Sequence, residues 1–564
     1  MLKRFLPLLT LIFFAHPSCR EKNAGPSEES INELNLKRGE MISCGPPDKE
    51  FGSVVFETSC AAAAPDFNLA MELLHSFEYD EAEKVFARII DKRHDCAMAY
   101  WGIAMSNFHP LWSPPSEPEL VKGAKAINIA QSIPQKTKRE AAYIDAIASF
   151  YKDWEKADHH TRCLRFEKGM EKLQSAYPED KEAAIFYALA LDAAADPADK
   201  SLSRQKKAGS ILTALYAREP NHPGIIHYII HTFDFPALAA LALPAARKYA
   251  SVAPSSAHAL HMPSHIFTRL GLWDECIRSN LASISSARCY AESAGIKGHW
   301  DEELHGMDYL VYAYLQKGAN GLAKEQCDSL RSFDEVYPSN FKVAYSFASI
   351  PSRYVLENRL WDQAARLTLH PARFPWKDHP WESAIIHFTR LLGDVHIGRP
   401  DSANSELTEL NKIHDQLMAQ KDGYKANQVQ IQINASEAWI RFKAGDKTAA
   451  SKLMNLAADM EDATQKHPVT PCEVLPAREL LGDLLLEMNS PREALQAYQE
   501  DLKNHPNRFN GLYGAGLAAE KSGSPELARS YYQQLVDMAG SSKPGRPEID
   551  QARRFLANGS HPNK

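Results

Sequence analysis

The chain has 564 residues, 44% of them hydrophobic and 24% charged, with a formal charge of −7 and a pI near 6.4. That length exceeds one small core and fits either several ordinary domains or one long repeat array. The acidic balance excludes nucleic acid as a main partner, because phosphate binding needs a basic stripe and Lys and Arg are spread among Asp and Glu throughout.

At the N-terminus, Lys3 and Arg4 precede an apolar run from Phe5 to Ala15, followed by a small residue and Cys19. This is the order of a secretory signal over residues 1–19. The run, at about eleven residues, is too short to span a membrane, and no later segment is long enough. Cys19 is the candidate lipidated residue of a membrane-anchored lipoprotein, although His16 stands where a lipobox carries Leu. Simple cleavage would instead give a soluble periplasmic or secreted protein. Residues 20–64 are polar, contain GPS and CGPP, and read as a linker or leader, with Val54 to Phe56 as one short strand.

The nine cysteines form no CxxC, which leaves a zinc ribbon or a thioredoxin-like site without support. Export permits disulfides, and Cys44 with Cys60, flanking a short non-helical stretch, is the expected pair. Cys96, Cys276 and Cys327 sit in apolar helical patterns and read as small buried hydrophobes.

From Pro65 onward the hydrophobic period is helical, broken by Gly, Asn or Pro, so the expected fold is all-α. Near the C-terminus, Gly482, Ala494 and Tyr498 recur 34 residues later as Gly516, Ala528 and Tyr532. A 34-residue period of small residue, Ala and aromatic is the tetratricopeptide signature. The small residues let two helices approach closely, and the tyrosine fills the groove toward the next hairpin. Weaker copies keep the 12-residue spacing at Ala70 and Ala82, Ser264 and Cys276, Val311 and Ala323, Ser352 and Ala364, and Ala438 and Ala450. The expectation is an α-solenoid of antiparallel hairpins. It is irregular over 65–430 and regular over 431–556, with a capping helix in EIDQARRFLANG and a disordered tail at 557–564.

Eight of the 22 histidines lie between residues 222 and 305, where an even spread would give about three. In HYIIHTFD, His227, His231 and Asp234 stand at i, i+4 and i+7 and share one helix face. In HALHMPSH, His258, His261 and His265 stand at i, i+3 and i+7, with Pro263 set to kink the helix or start a new one. His305 and Asp308 form a third set at i, i+3. Neutral imidazole and carboxylate are ligands for zinc and similar divalent metals, and stacked hairpins bring such faces together. The other reading is a set of hydrogen-bonded core histidines between hairpins. The Glu of HExxH is absent, as are GxSxG, Walker A and GxGxxG, so no zincin, serine hydrolase or nucleotide site is indicated. Asp301 to Glu303 read as a solvated helix start, and the Pro-bracketed aromatic clusters His109 to Trp112 and Phe374 to Trp381 as packing over hairpin ends or the lining of a groove.

The segment from His222 to Asn280, with CAMAYWGIAMSNFHPLW (Cys96 to Trp112) and LHGMDYLVYAYLQKG (Leu304 to Gly318), resembles a group of bacterial exported tetratricopeptide-repeat proteins. The likeness runs from about residue 50 to the C-terminus, with HYIIH and HMPSHIFTRLG its specific motifs. It implies the helical fold and export, but no reaction. Two functions follow as expectations. One is a scaffold holding a peptide, protein or envelope component in the solenoid groove. The other is a metal-dependent, hydrolytic enzyme with zinc, manganese or iron held by His227, His231, Asp234, His258, His261, His265, His305 and Asp308, the ion acidifying a bound water.

Overall fold

The computed structural model describes residues 25–46, 50–197, 199–540 and 545–558. The expected signal over 1–19, with Cys19, lies outside them. Among the described residues, helices follow one another along nearly the whole chain, and the sole strand pairing joins His299–Trp300 in parallel to Val336–Tyr337. No described helix is long and apolar enough to cross a membrane.

The helices pair as antiparallel hairpins and stack into a solenoid. The regular end shows why the 34-residue period matters. Helices Ala477–Glu487 and Pro491–Asn504 form one hairpin, and Phe509–Lys521 and Pro525–Ala539 the next. A Cβ added to Gly482 would lie 2.7 Å from the Tyr498 ring, and one added to Gly516 would lie 2.7 Å from the Tyr532 ring. Tyr498 also fills the space beside Gly514 of the following hairpin. Both members of every weaker 12-residue pair are fully buried, so those small residues mark close helix approach along the whole array. The expected boundary at 430 falls inside the continuous helix Gly423–Lys443.

Several expectations change. The described part of the leader packs onto the array rather than linking: Ile31, Leu34, Leu36, Phe51 and Phe56 are buried in the first core. Residues 54–56 form no strand; the backbone of Val54 and Phe56 donates instead to Glu72 and Asn68 side chains. Cys44 and Cys60 are not bonded to each other. Cys44 pairs with Cys289, and Cys60 with Cys96. The fold brings Cys289 within 5.9 Å of Cys44 and Cys96 within 5.8 Å of Cys60, Cα to Cα, which is disulfide reach. Cys96 is therefore half of a disulfide, whereas Cys276 and Cys327 are free and buried. The last helix runs Pro547–Asn558, so Ala557 and Asn558 are ordered helix rather than tail.

The helices that carry the histidines or their partners are α1 (Ala64–His75), α2 (Lys181–Ala193), α3 (Pro223–Thr232), α4 (Ala257–His261), α5 (Pro263–Arg269), α6 (Trp273–Ser293), α7 (Asp301–Gln316) and α8 (Phe341–Glu357). Pro263 starts α5 at its first position, where a missing N–H costs nothing. The loop over 463–476 then returns from the C-terminal half. Lys466 Nζ donates to Asp234 Oδ2 at 2.9 Å, and the fully buried Arg353 donates to the carbonyl of Cys472 at 2.6 Å.

Candidate metal centre

The structure gathers six of the predicted histidines into two adjacent sets of three. His227, His231 and His258 form the first set, and His261, His265 and His305 the second; within each, the candidate ligand atoms all lie within 4.8 Å of one another. The sets adjoin because His258 and His261 are one turn apart on α4, and the His231 and His265 ring centroids are 6.3 Å apart. His227, His261 and His265 are at most 3% exposed.

The hydrogen bonds around the rings fix their protons. His227 Nδ1 lies 2.7 Å from the carbonyl oxygen of His75, which can only accept, so Nδ1 carries the hydrogen. His261 Nδ1 lies 2.7 Å from Asn280 Oδ1. The amide is oriented by its own nitrogen, which donates to the Cys276 carbonyl at 2.8 Å, so here too the ring donates. His265 Nδ1 lies 3.1 Å from Asp234 Oδ2. A neutral imidazole with its hydrogen on Nδ1 has a bare lone pair on Nε2.

Those lone pairs face each other. His261 Nε2 and His265 Nε2 are 3.1 Å apart with no ring hydrogen to lie between them, and the Tyr309 hydroxyl stands 3.4 Å from His265 Nε2. His227 Nε2 stands 3.0 Å from His231 Nε2 and 3.1 Å from His258 Nε2, although one in-plane lone pair accepts one good donor. Nitrogens bound tetrahedrally at 2.0–2.1 Å to one ion would be about 3.3 Å apart. Protonation does not relieve the conflict. Burial, then the neighbouring rings, holds His227, His231, His261 and His305 well below the ordinary imidazole range. Burial also lowers His265 to about 4 despite its carboxylate partner. A cation between the nitrogens removes the repulsion and uses the Nε2 lone pairs of His227, His261 and His265.

Asp234 falls just after α3 and acts behind His265 rather than among the ligand atoms. Burial would raise its carboxyl, but Lys466 and Arg269 outweigh burial and hold it well below the usual range. A carboxylate behind a ligating imidazole fixes its tautomer and raises its basicity. Asp308 is not part of the site. It faces away on α7, accepting from Ser349 at 2.9 Å beside the Arg353 guanidinium.

The acidic run is not solvated: Asp301, Glu302 and Glu303 are at most 8% exposed. Asp301 and Glu302 share Lys342, and Glu302 Oε2 is buried without a hydrogen-bond partner, 4.0 Å from His258 Nδ1. Beside His258 opens a cleft of about 200 Å³ whose lining includes Phe77, Tyr79, Trp112, Trp300 and Lys342. Phe77 and Trp112 lie over the first set; the Phe77 centroid is 4.4 Å from that of His227 and the Trp112 centroid 5.0 Å from that of His231. Phe77 holds a left-handed φ of +59°, a costly conformation for an aromatic residue that turns its ring onto the imidazoles. Tyr309 covers the second set, its ring centroid 4.7 Å from that of His261. The aromatic cluster Phe374 to Trp381 packs elsewhere, with Trp376 and Trp381 buried in the second core. Sequence spacing missed Phe77, Asn280, Tyr309 and Lys466. Only Tyr309, one residue beyond Asp308, adjoined a signal.

A tetratricopeptide-repeat family model matches residues 480–543. This is the stretch whose period the glycines and tyrosines display. No curated protein is detectably similar in sequence. Among solved structures, the human IFIT1 dimer with PPP-AAAA is 13% identical, with 84% of this chain and 90% of that one covered at a TM-score of 0.35. The Cut9 and Hcn1 hetero-tetramer of the APC/C is 12% identical, with 90% and 97% covered and a TM-score of 0.24. These likenesses concern helical repeat architecture alone. Arrays of this architecture in general present surfaces that hold protein partners.

A third polar cluster also gathers buried histidines, here around a carboxylate. His75 and His222 both approach Glu182, at 3.0 and 2.7 Å. His75 Nδ1 is 2.9 Å from the Tyr228 hydroxyl, and His222 Nδ1 accepts the backbone N–H of Ile225. Every nitrogen there has a complementary partner, so this is a hydrogen-bonded core network.

Proposed function

We propose that this chain is a metalloprotein in which a tetratricopeptide-like scaffold holds transition-metal ions in the two imidazole sets and presents them to a small molecule entering the aromatic cleft. The observation that carries this reading is the pair of bare Nε2 atoms of His261 and His265 facing each other at 3.1 Å. The scaffold reading, with a peptide in the groove, has less support at this place, because the chain's own loop over 463–476 reaches across to Asp234 and Arg353. Export belongs to the same proposal. Two disulfides suit an oxidising compartment, as the N-terminal segment and the resemblance imply.

The test is elemental analysis of protein purified without chelators, beside a His231→Ala, His265→Ala double variant. The expected result is one or two transition-metal ions per chain, lost in the variant. A metal-free wild type that takes up no added zinc, manganese, iron or copper would overturn the reading and leave a scaffold with core histidines. Stoichiometric zinc would favour hydrolysis, the ion acidifying a bound water.

A further inference from the structure

The two sets have the same construction. Each takes an HxxxH pair, His227 with His231 and His261 with His265, and adds a third histidine from another segment, His258 or His305. No carboxylate stands in either. Hard ions such as magnesium, calcium and manganese favour oxygen ligands, and the non-haem iron triad requires a carboxylate, so an all-imidazole set narrows the choice toward copper, zinc or nickel. Copper binds nitrogen sites most tightly of the divalent series.

Charge narrows it further. The charged buried acids nearby are already matched: Asp234 faces Lys466 and Arg269, and Asp301 and Glu302 share Lys342, while Glu78 on the cleft wall meets only the Ser256 hydroxyl and burial pushes its carboxyl up to about 8. These three acids and three bases cancel. A pair of divalent ions would therefore bring four uncompensated positive charges into a buried site, and a pair of cuprous ions only two. Burying unpaired charge is costly, so the ion of lower charge is favoured.

We propose that the two sets bind a pair of copper ions and that the cuprous pair binds one molecule of dioxygen between them. This rests on the metalloprotein reading and deepens it. Each three-nitrogen set leaves a position open on its ion. On binding, each Cu(I) gives one electron and becomes Cu(II), and dioxygen takes both electrons and becomes peroxide bridging the ions. No proton or further reductant is needed, and the total charge of ions plus ligand stays at two positive. The cleft beside His258 offers the way in.

The experiment loads metal-free protein with Cu(I) under anaerobic conditions, counts bound copper, then admits air. Two coppers per chain are expected, followed by an intense near-ultraviolet peroxide-to-copper charge-transfer band. The oxidised pair should give no electron paramagnetic resonance signal, because its spins couple. A His305→Ala variant should hold one copper, show the signal of an isolated Cu(II) and lack the band. Fewer than two coppers in the wild type, or two coppers that oxidise to isolated Cu(II) without the band, would overturn the proposal, and the wild-type result decides even where the variant does not fold. A parallel zinc titration separates the two failures. Zinc uptake without a coupled copper pair sinks this inference alone, and uptake of neither ion sinks the metalloprotein reading with it.

Discussion

The cluster of His75, Glu182 and His222 and the six-histidine centre are both clusters of buried imidazoles. They differ in where the protons go. Around Glu182 each ring N–H meets an acceptor and each ring lone pair meets a donor, so the network is complete without a ligand. In the six-histidine centre the Nδ1 atoms of His227, His261 and His265 spend their hydrogens on a carbonyl, an amide and a carboxylate, and the Nε2 atoms of His261 and His265 meet with no ring hydrogen between them. A buried histidine cluster is therefore read by counting donors against lone pairs, not by counting histidines.

Metal removal should break the comparison most strongly. A ligand held at a thousand times its dissociation constant stabilises the native state by about 4 kcal/mol. Chelation should lower the melting temperature of the wild type by the corresponding amount and leave a His231→Gln, His265→Gln variant, which breaks both sets, almost unmoved in differential scanning calorimetry.

Next in size, Glu182→Gln should cost about 3 kcal/mol in urea unfolding, since the amide cannot accept from both rings and leaves a buried N–H opposed by its own NH₂. Metal content should not change. Burial would raise the Glu182 carboxyl, but His222 and His75 outweigh burial and hold it far below the ordinary range. Its stabilisation is therefore fully present above the ordinary carboxylate pKa of about 4.3 and lost as the pH falls below it, so the gap between wild type and variant should close in acid.

Asp234→Asn sharpens the comparison by weakening the group behind His265 while sparing the ligand. Affinity at the second set should fall about 10- to 100-fold in competition with a chromogenic chelator, and that at the first set should hold. Gly516→Ala should act furthest away and least. The new Cβ meets the Tyr532 ring at 2.7 Å, costing about 1 kcal/mol of stability with metal binding untouched.

Legibility followed sequence distance. The repeat at Gly482 and Gly516 was readable because each close approach is made between helices a few residues apart, so the period is written locally. The i, i+4 histidine pairs were readable for the same reason. Asp234 and Asp308 looked alike at i+7 and i+3, yet one turned toward the site and the other toward Arg353, because their partners Lys466 and Ser349 lie on elements 232 and 41 residues away. The acidic run from Asp301 read as a surface helix start and proved buried, since α7 is enclosed on all sides and Lys342 of α8 supplies its counter-charge.

By itself the sequence determined that the chain is helical, that its hairpins repeat, and which helix faces carry histidine, since all three depend on residues within a turn or a hairpin of one another. Tertiary structure alone decided which cysteines meet and which acids leave the site. It also decided that the Nε2 lone pairs of His261 and His265 face each other, because a ring's proton is set by the acceptor behind it. Those acceptors come from Asn280 on α6 and from Asp234 after α3, whose places only the folded array fixes.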